Sequence, residues 1–165
     1  MQIRTCLLAL SVLLDGCALF RSAEVLTPCE TVPIEVVLKG SAVQNPNPEG
    51  QSMAVEVRVL ALGKRETFDR LDPDAAQDAE KALGPDLLGG SRVTVFPDDE
   101  QIVPLSVPPT ARYVALIGLF RRAGEGWSRV IDIQNITTRC KPGGLAGLVR
   151  AQVIDNRLQA GATAE

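Results

Sequence analysis

From residue 33 onward, apolar and polar positions alternate in short runs. In residues 33–39 (PIEVVLK), Ile34, Val36 and Leu38 share one face while Glu35 and Lys39 take the other. Residues 54–61 (AVEVRVLA) repeat the pattern with Val55, Val57 and Val59 inward and Glu56 and Arg58 outward, the period-two signature of a half-buried strand. Residues 92–96 and 101–107 predict two further strands across the turn-forming cluster Pro97-Asp98-Asp99-Glu100. Pro104 assigns the second of them to an edge or a bulge, because proline has no N–H for a central ladder. Residues 113–120 (YVALIGLF) are apolar on both faces and predict a central strand covered on each side. Arg121-Arg122 ends it, Ala123 to Gly126 turns the chain into a strand over 127–133, and a last strand runs from about 148 to 154 into a tight turn at Asp155-Asn156.

One segment departs from this rhythm. Residues 68–88 read FDRLDPDAAQDAEKALGPDLL, in which Asp72 can cap a helix, Pro73 suits its first position, and Gly84-Pro85 stops it. Phe68, Leu71, Ala75, Ala79 and Leu83 fall near helical spacing, so a helical insert over about residues 66–88 should lay an apolar stripe on the strands. The fold class expected is mainly β: a sandwich of about seven or eight strands with one short helical insert.

The first 32 residues carry a different message. One positive charge at Arg4 precedes an apolar run over residues 6–14, far short of the roughly 20 residues that span a bilayer. Leu14-Asp15-Gly16-Cys17 resembles the lipobox of bacterial lipoproteins, although Asp15 departs from the usual small residue. The resemblance makes residues 1–16 a signal peptide, Cys17 the lipidated first residue of the mature chain, and 17–32 a tether. Residues 33–159 form the sandwich domain and 160–165 a frayed tail. Ala18 stands where an Asp would retain such a protein in the inner membrane, so the same resemblance implies the outer membrane. Several acyl chains at one cysteine anchor firmly, at about 0.8 kcal/mol per buried methylene.

Cysteine usage changes with that reading. Cys6 leaves with the signal and Cys17 takes the lipid, so Cys29 and Cys140 remain in an oxidising compartment. They either form a disulfide, closing a loop of about a hundred residues and stabilising the fold by up to about 4–5 kcal/mol in the chain-entropy account, or stay as two free thiols.

Composition removes most chemistry. The 165 residues include no histidine, which excludes imidazole-based triads and the commonest zinc ligand. The net charge of −3 and the lack of a basic run leave no electrostatic footprint for nucleic acid. Seven serines occur without a Ser-x-x-Lys spacing. Asp98-Asp99-Glu100 lacks the spaced ligands of a calcium loop and reads as a solvated turn. Asn135-Ile136-Thr137 matches a glycosylation sequon that a bacterial lipoprotein would not normally use. Trp127 reads as a core anchor or, alternatively, as a stacking surface. No enzyme, metal or cofactor beyond the covalent lipid is expected.

Residues 40–53 (GSAVQNPNPEGQSM) form a loop longer than a hairpin needs, with Pro46 and Pro48 stiffening it. It is either a docking loop or a surface loop without a partner.

The order of these features resembles a known family. The lipobox cysteine, the strand pair around a long loop, Phe68 and Leu71, Ala82-Leu83-Gly84-Pro85-Asp86-Leu87-Leu88, Phe96-Pro97, Tyr113-Val114-Ala115, Phe120-Arg121 and Trp127 together resemble the TssJ (SciN) outer-membrane lipoproteins of the type VI secretion system. That resemblance implies a transthyretin-like β-sandwich and a structural role: holding the periplasmic end of the inner-membrane protein TssM, with TssL in the same complex and outer-membrane lipid around the anchor. By position it assigns partner binding to Val43, Gln44, Asn45, Pro46, Asn47, Pro48 and Glu49. The alternative of another class is a lipid-anchored periplasmic binding module for a small ligand or envelope polymer.

Overall fold

The computed structural model describes residues 30–138 and 144–161. The signal peptide, Cys6, Cys17, Cys29, Cys140 and residues 162–165 lie outside the described residues. Two four-stranded sheets pack face to face. One has the order β4-β1-β7-β8, built from β1 (Val32–Gln44), β4 (Glu100–Val107), β7 (Gly147–Asp155) and β8 (Arg157–Ala160). The other has the order β3-β2-β5-β6, built from β2 (Val55–Leu62), β3 (Leu87–Val95), β5 (Tyr113–Leu119) and β6 (Ser128–Asp132). Every pairing is antiparallel except β1 with β7.

The alternation seen in the sequence sets the inner faces. Ile34, Val36 and Leu38 of β1, Val55, Val57 and Val59 of β2, and Val114 and Leu116 of β5 are buried in one cluster between the sheets, each side chain contributing about 1.5–3 kcal/mol. Pro104 sits on edge strand β4 opposite Glu35, where its missing N–H breaks no interior ladder.

The apolar outer face of β5 explains the insert. Leu60, Leu62, Ala115 and Ile117 point away from the sandwich core and are covered by Phe68, Ala76, Ala79 and Leu83. The expected helix is nevertheless broken. Phe68–Arg70, Ala75–Asp78 and Gly84–Asp86 are single 3₁₀ turns, and the α-helical part is only α1 (Ala79–Leu83). The break falls at Asp78, whose φ of −126° and ψ of 52° interrupt the ladder between Ala75–Asp78 and α1. Gly84, at φ 51°, supplies the reversal an L side chain would resist. Asp72 caps as expected, its Oδ1 accepting from the Ala75 N–H at 2.7 Å. The packed alanine is Ala76 rather than Ala75, because the turns do not hold the α period.

Other elements differ from the sequence reading, among them β8, an unexpected eighth strand whose last residue, Ala160, pairs with Ala151 inside the expected tail. β1 continues five residues beyond Lys39, β3 begins at Leu87 within the expected insert, and a short helix α2 (Gln134–Thr137) follows β6. Asp132 Oδ1 accepts the Gln134 N–H at 2.9 Å and starts that helix.

Among the described residues, the outer face of the β4-β1-β7-β8 sheet is uncovered at Lys39, Ile102, Pro104, Ser106 and Arg150, which are exposed.

Candidate partner-binding end

The ends of β1, β3, β5 and β7 and the starts of β2 and β4 meet at one end of the sandwich, opposite to where residue 30 enters. The expected loop over 40–53 begins here as strand. The pairing of β1 with β7 shifts register between Gly40 and Gln44, leaving Ala42 and Val43 exposed and turning Gln44 to the interior, where it is fully buried. Its Nε2 donates to the Val95 carbonyl at 2.9 Å and to the Met53 carbonyl at 3.2 Å, joining three chain segments.

Asn45 is the second tie. At φ 42° it turns the chain in the left-handed region that Asn tolerates better than most residues. Its N–H donates to the Asp155 carbonyl at 2.6 Å, its Nδ2 to the Ala54 carbonyl at 2.8 Å, and its Oδ1 accepts from the Arg121 N–H at 2.9 Å. The tip is closed separately: Asn47 Oδ1 accepts from the Gln51 N–H at 2.8 Å, and Gly50 N–H donates to the Asn47 carbonyl at 3.0 Å. The segment is thus a pinned loop rather than a free one.

Of the residues assigned to partner contact by position, Gln44 and Asn45 are therefore interior ties. Pro46 and Asn47 are half-buried, while Val43, Pro48 and Glu49 face solvent. Parity along β1 would have buried Ala42, which is exposed, so the shift that turns Gln44 inward had no signal in the alternation.

The β3–β4 turn is docked onto the same strand. Gly40 N–H donates to the Asp99 carbonyl at 2.8 Å, and a Cβ on Gly40 would collide with the Phe96 carbonyl. Asp99 Oδ1 accepts from the Glu100 N–H at 2.9 Å and Oδ2 from Gln101 Nε2 at 2.6 Å, so this carboxylate shapes the turn. Among the described residues, no His, Cys, Asp and Glu side chains cluster as a metal site, and no helix is long and apolar enough to cross a membrane.

Trp127 is half-buried and packs against both hydrophobic clusters, as an anchor would. It borders a polar cleft of about 410 Å³ with Arg65, Asp69 and Arg129. There the Asp69 carboxylate, 2.7 Å from Arg65 Nε, raises the Arg65 pKa through their hydrogen bond. Asn135 is exposed on α2.

Arg58, on the outward face that the alternation predicts, is buried. It does point outward, but beneath the insert, where its guanidinium donates to the Ala76 and Gln77 carbonyls at 3.0 and 2.9 Å. Glu80 lies 3.9 Å from Arg58 and 2.6 Å from Arg92, and the Arg92 hydrogen bond lowers its pKa.

The fold is shared with solved structures at low identity. A crystal structure of the type VI secretion lipoprotein TssJ1 from Pseudomonas aeruginosa is 18% identical with a TM-score of 0.67, covering 82% of this chain and 98% of that one. Serratia marcescens Lip, described as a membrane-bound component of the type VI secretion system, is 20% identical with a TM-score of 0.66, covering 81% and 99%. A chain in the structure of the TssM C-terminal domain (869–1107) from EAEC is 16% identical with a TM-score of 0.64, covering 79% and 98%. No curated protein sequence matches significantly. At this identity the structures establish the fold alone. The family model described as "Type VI secretion lipoprotein, VasD, EvfM, TssJ" matches residues 32–157, from the first residue of β1 to the first of β8, and the chain belongs to that family.

Proposed function

We propose that this protein is anchored by lipid on Cys17 in the outer membrane, facing the periplasm. There it holds the periplasmic end of a TssM-like inner-membrane protein, in a complex that also contains a TssL-like protein. The role is structural rather than catalytic. The observation that carries this reading is the family match, which runs from the first residue of β1 through the whole of β7. Position supports it as well, because the strand that leads from the tether ends at the pinned loop, about 40 Å away for 13 residues of β1. Contact with the partner falls on the exposed part of that loop, Val43, Pro48 and Glu49, while Gln44 and Asn45 hold it in shape.

A Cys29–Cys140 bridge belongs to the same proposal. Support comes from the described flanks, where Ala146 N–H donates to the Pro33 carbonyl at 2.9 Å. Such a bridge would brace the root of the tether against load.

The test is co-purification of the full-length lipoprotein, extracted from membranes, with the TssM-like protein of the same cell. Recovery of both in one complex is expected. Separate elution at every detergent and salt condition would overturn the reading.

A further inference from the structure

Among the described residues the sandwich has four edge strands, β3, β4, β6 and β8. An edge strand offers a row of unpaired N–H and carbonyl groups, and proteins guard it with proline, charge or a neighbouring element. Three of the four edges are guarded. Pro104 interrupts β4, while β6 and β8 lie side by side, with the Leu158 N–H donating to the Gly126 carbonyl at 2.8 Å.

β3 is different. It is nine residues long, contains no proline and carries Arg92 as its one charge. Among the described residues, its backbone over 88–94 hydrogen-bonds to β2 alone. Both ends are nevertheless fixed. The Gly63 N–H donates to the Asp86 carbonyl at 3.0 Å, and Gln44 Nε2 donates to the Val95 carbonyl at 2.9 Å. The edge is thus held extended before anything pairs with it.

A cleft of about 510 Å³ lies beside this edge, between β3 and the insert. Leu60 and Leu87 give it an apolar lining, and the ion pair of Glu80 with Arg92, at 2.6 Å, borders it. Gly89 and Gly90 leave this stretch of β3 without side chains. A Cβ on Gly90 would stand 2.8 Å from Leu60 Cδ2 and 3.0 Å from the Val59 carbonyl, whereas a Cβ on Gly89 meets nothing within 4 Å. Glycine inside a strand marks the close approach of another backbone, and a large side chain from a neighbouring strand is what covers an edge glycine. The row of backbone groups therefore selects a strand as the occupant, and the glycines select where its largest side chain lies.

We propose that β3 takes up an extended, proline-free segment of another protein as a fifth strand of the β3-β2-β5-β6 sheet. The segment alternates polar and apolar residues and lays a large apolar side chain over Gly90, in the cleft. This surface runs along the flank of the sandwich and shares no residue with the proposed loop contact.

Full-length lipoprotein in detergent is titrated with the capped synthetic peptide KTVTFTVTK and with KTPTFTPTK, whose prolines remove donors from the added strand. Amide exchange is followed by mass spectrometry. The first peptide should bind saturably and slow the fast-exchanging amides of residues 88–94 at least about tenfold, and the second should do neither. Gly89→Lys, where a Cβ has room, should weaken binding at least about fivefold, and Gly89→Ala should stay within about twofold. Unchanged thermal midpoints show that the variants fold; if Gly89→Lys lowers its midpoint, the proline peptide and the exchange map decide. Equal binding of the two peptides, protection outside β3, or full binding by a folded Gly89→Lys variant overturns the proposal. Exchange over 88–94 that is already as slow as in β2 before peptide is added also overturns it, because the edge is then covered by the chain itself. Failure of both peptides to bind overturns it as well.

Discussion

The outer faces of the two sheets are built differently. On the β3-β2-β5-β6 sheet, Leu60, Leu62, Ala115 and Ile117 are covered by an insert of broken turns, and even the charged Arg58 is buried. On the β4-β1-β7-β8 sheet, Lys39, Ile102 and Arg150 are exposed, with no comparable cover among the described residues. The first face is a second core; the second is a surface. The insert occupies the face of one sheet and the pinned loop lies at the end of the molecule, so in the proposed role packing and partner binding draw on separate residues. Stability and association should then be separable by substitution.

The largest effect should come from the covered face. Phe68→Ala removes the main aromatic from beneath the insert and should cost about 3–5 kcal/mol in urea unfolding. A cost under about 1 kcal/mol would mean that the insert is not part of the cooperative unit. Arg58→Ala leaves the Ala76 and Gln77 carbonyls without their donors and should cost about 2–4 kcal/mol. A loss confined to the insert by hydrogen exchange would show that Arg58 clamps that layer alone.

Acidification probes the same layer more gently. The Arg92 hydrogen bond holds the Glu80 carboxyl below its usual 4.5. The group is depressed in the folded state, so its contribution is full above the unfolded value and is lost as pH falls through the lowered one. The pair is exposed, so the change should be small. Glu80→Gln should flatten that part of the stability profile, and an unaltered profile would remove the pair from the account. Smallest of all is Ile102→Ser on the open face, expected within about 0.5 kcal/mol of wild type. A larger loss would mean that this face packs against something after all.

The comparison also shows what residues alone could reveal. Double-sided apolarity over 113–120 announced a covered strand, and Pro104 announced an edge, because each pattern has one physical solution. Arg58 could not be read the same way. Alternation gave its face correctly, but whether that face is wet depends on an insert packed from elsewhere in the chain. The insert itself looked helical by composition, yet Asp78 leaves the helical region and Gly84 reverses the chain, so it folds as a series of short turns. At the candidate site, the loop's position was legible and its chemistry was not. Gln44 and Asn45 look like loop residues next to Pro46, but carbonyls from Val95, Met53, Ala54 and Asp155 make them interior. Phe96 gave no sign of exposure, since its setting depends on the close approach that Gly40 permits.

The central claim is that this lipoprotein joins two membranes through its anchor and its far end. Envelope fractions separated on a density gradient test it most directly, by following the TssM-like protein in cells with the wild-type chain or with Cys17→Ser. The account predicts that part of the TssM-like protein sediments with the outer membrane in the wild type and returns wholly to the inner membrane in the variant. An identical distribution in the two strains would contradict it.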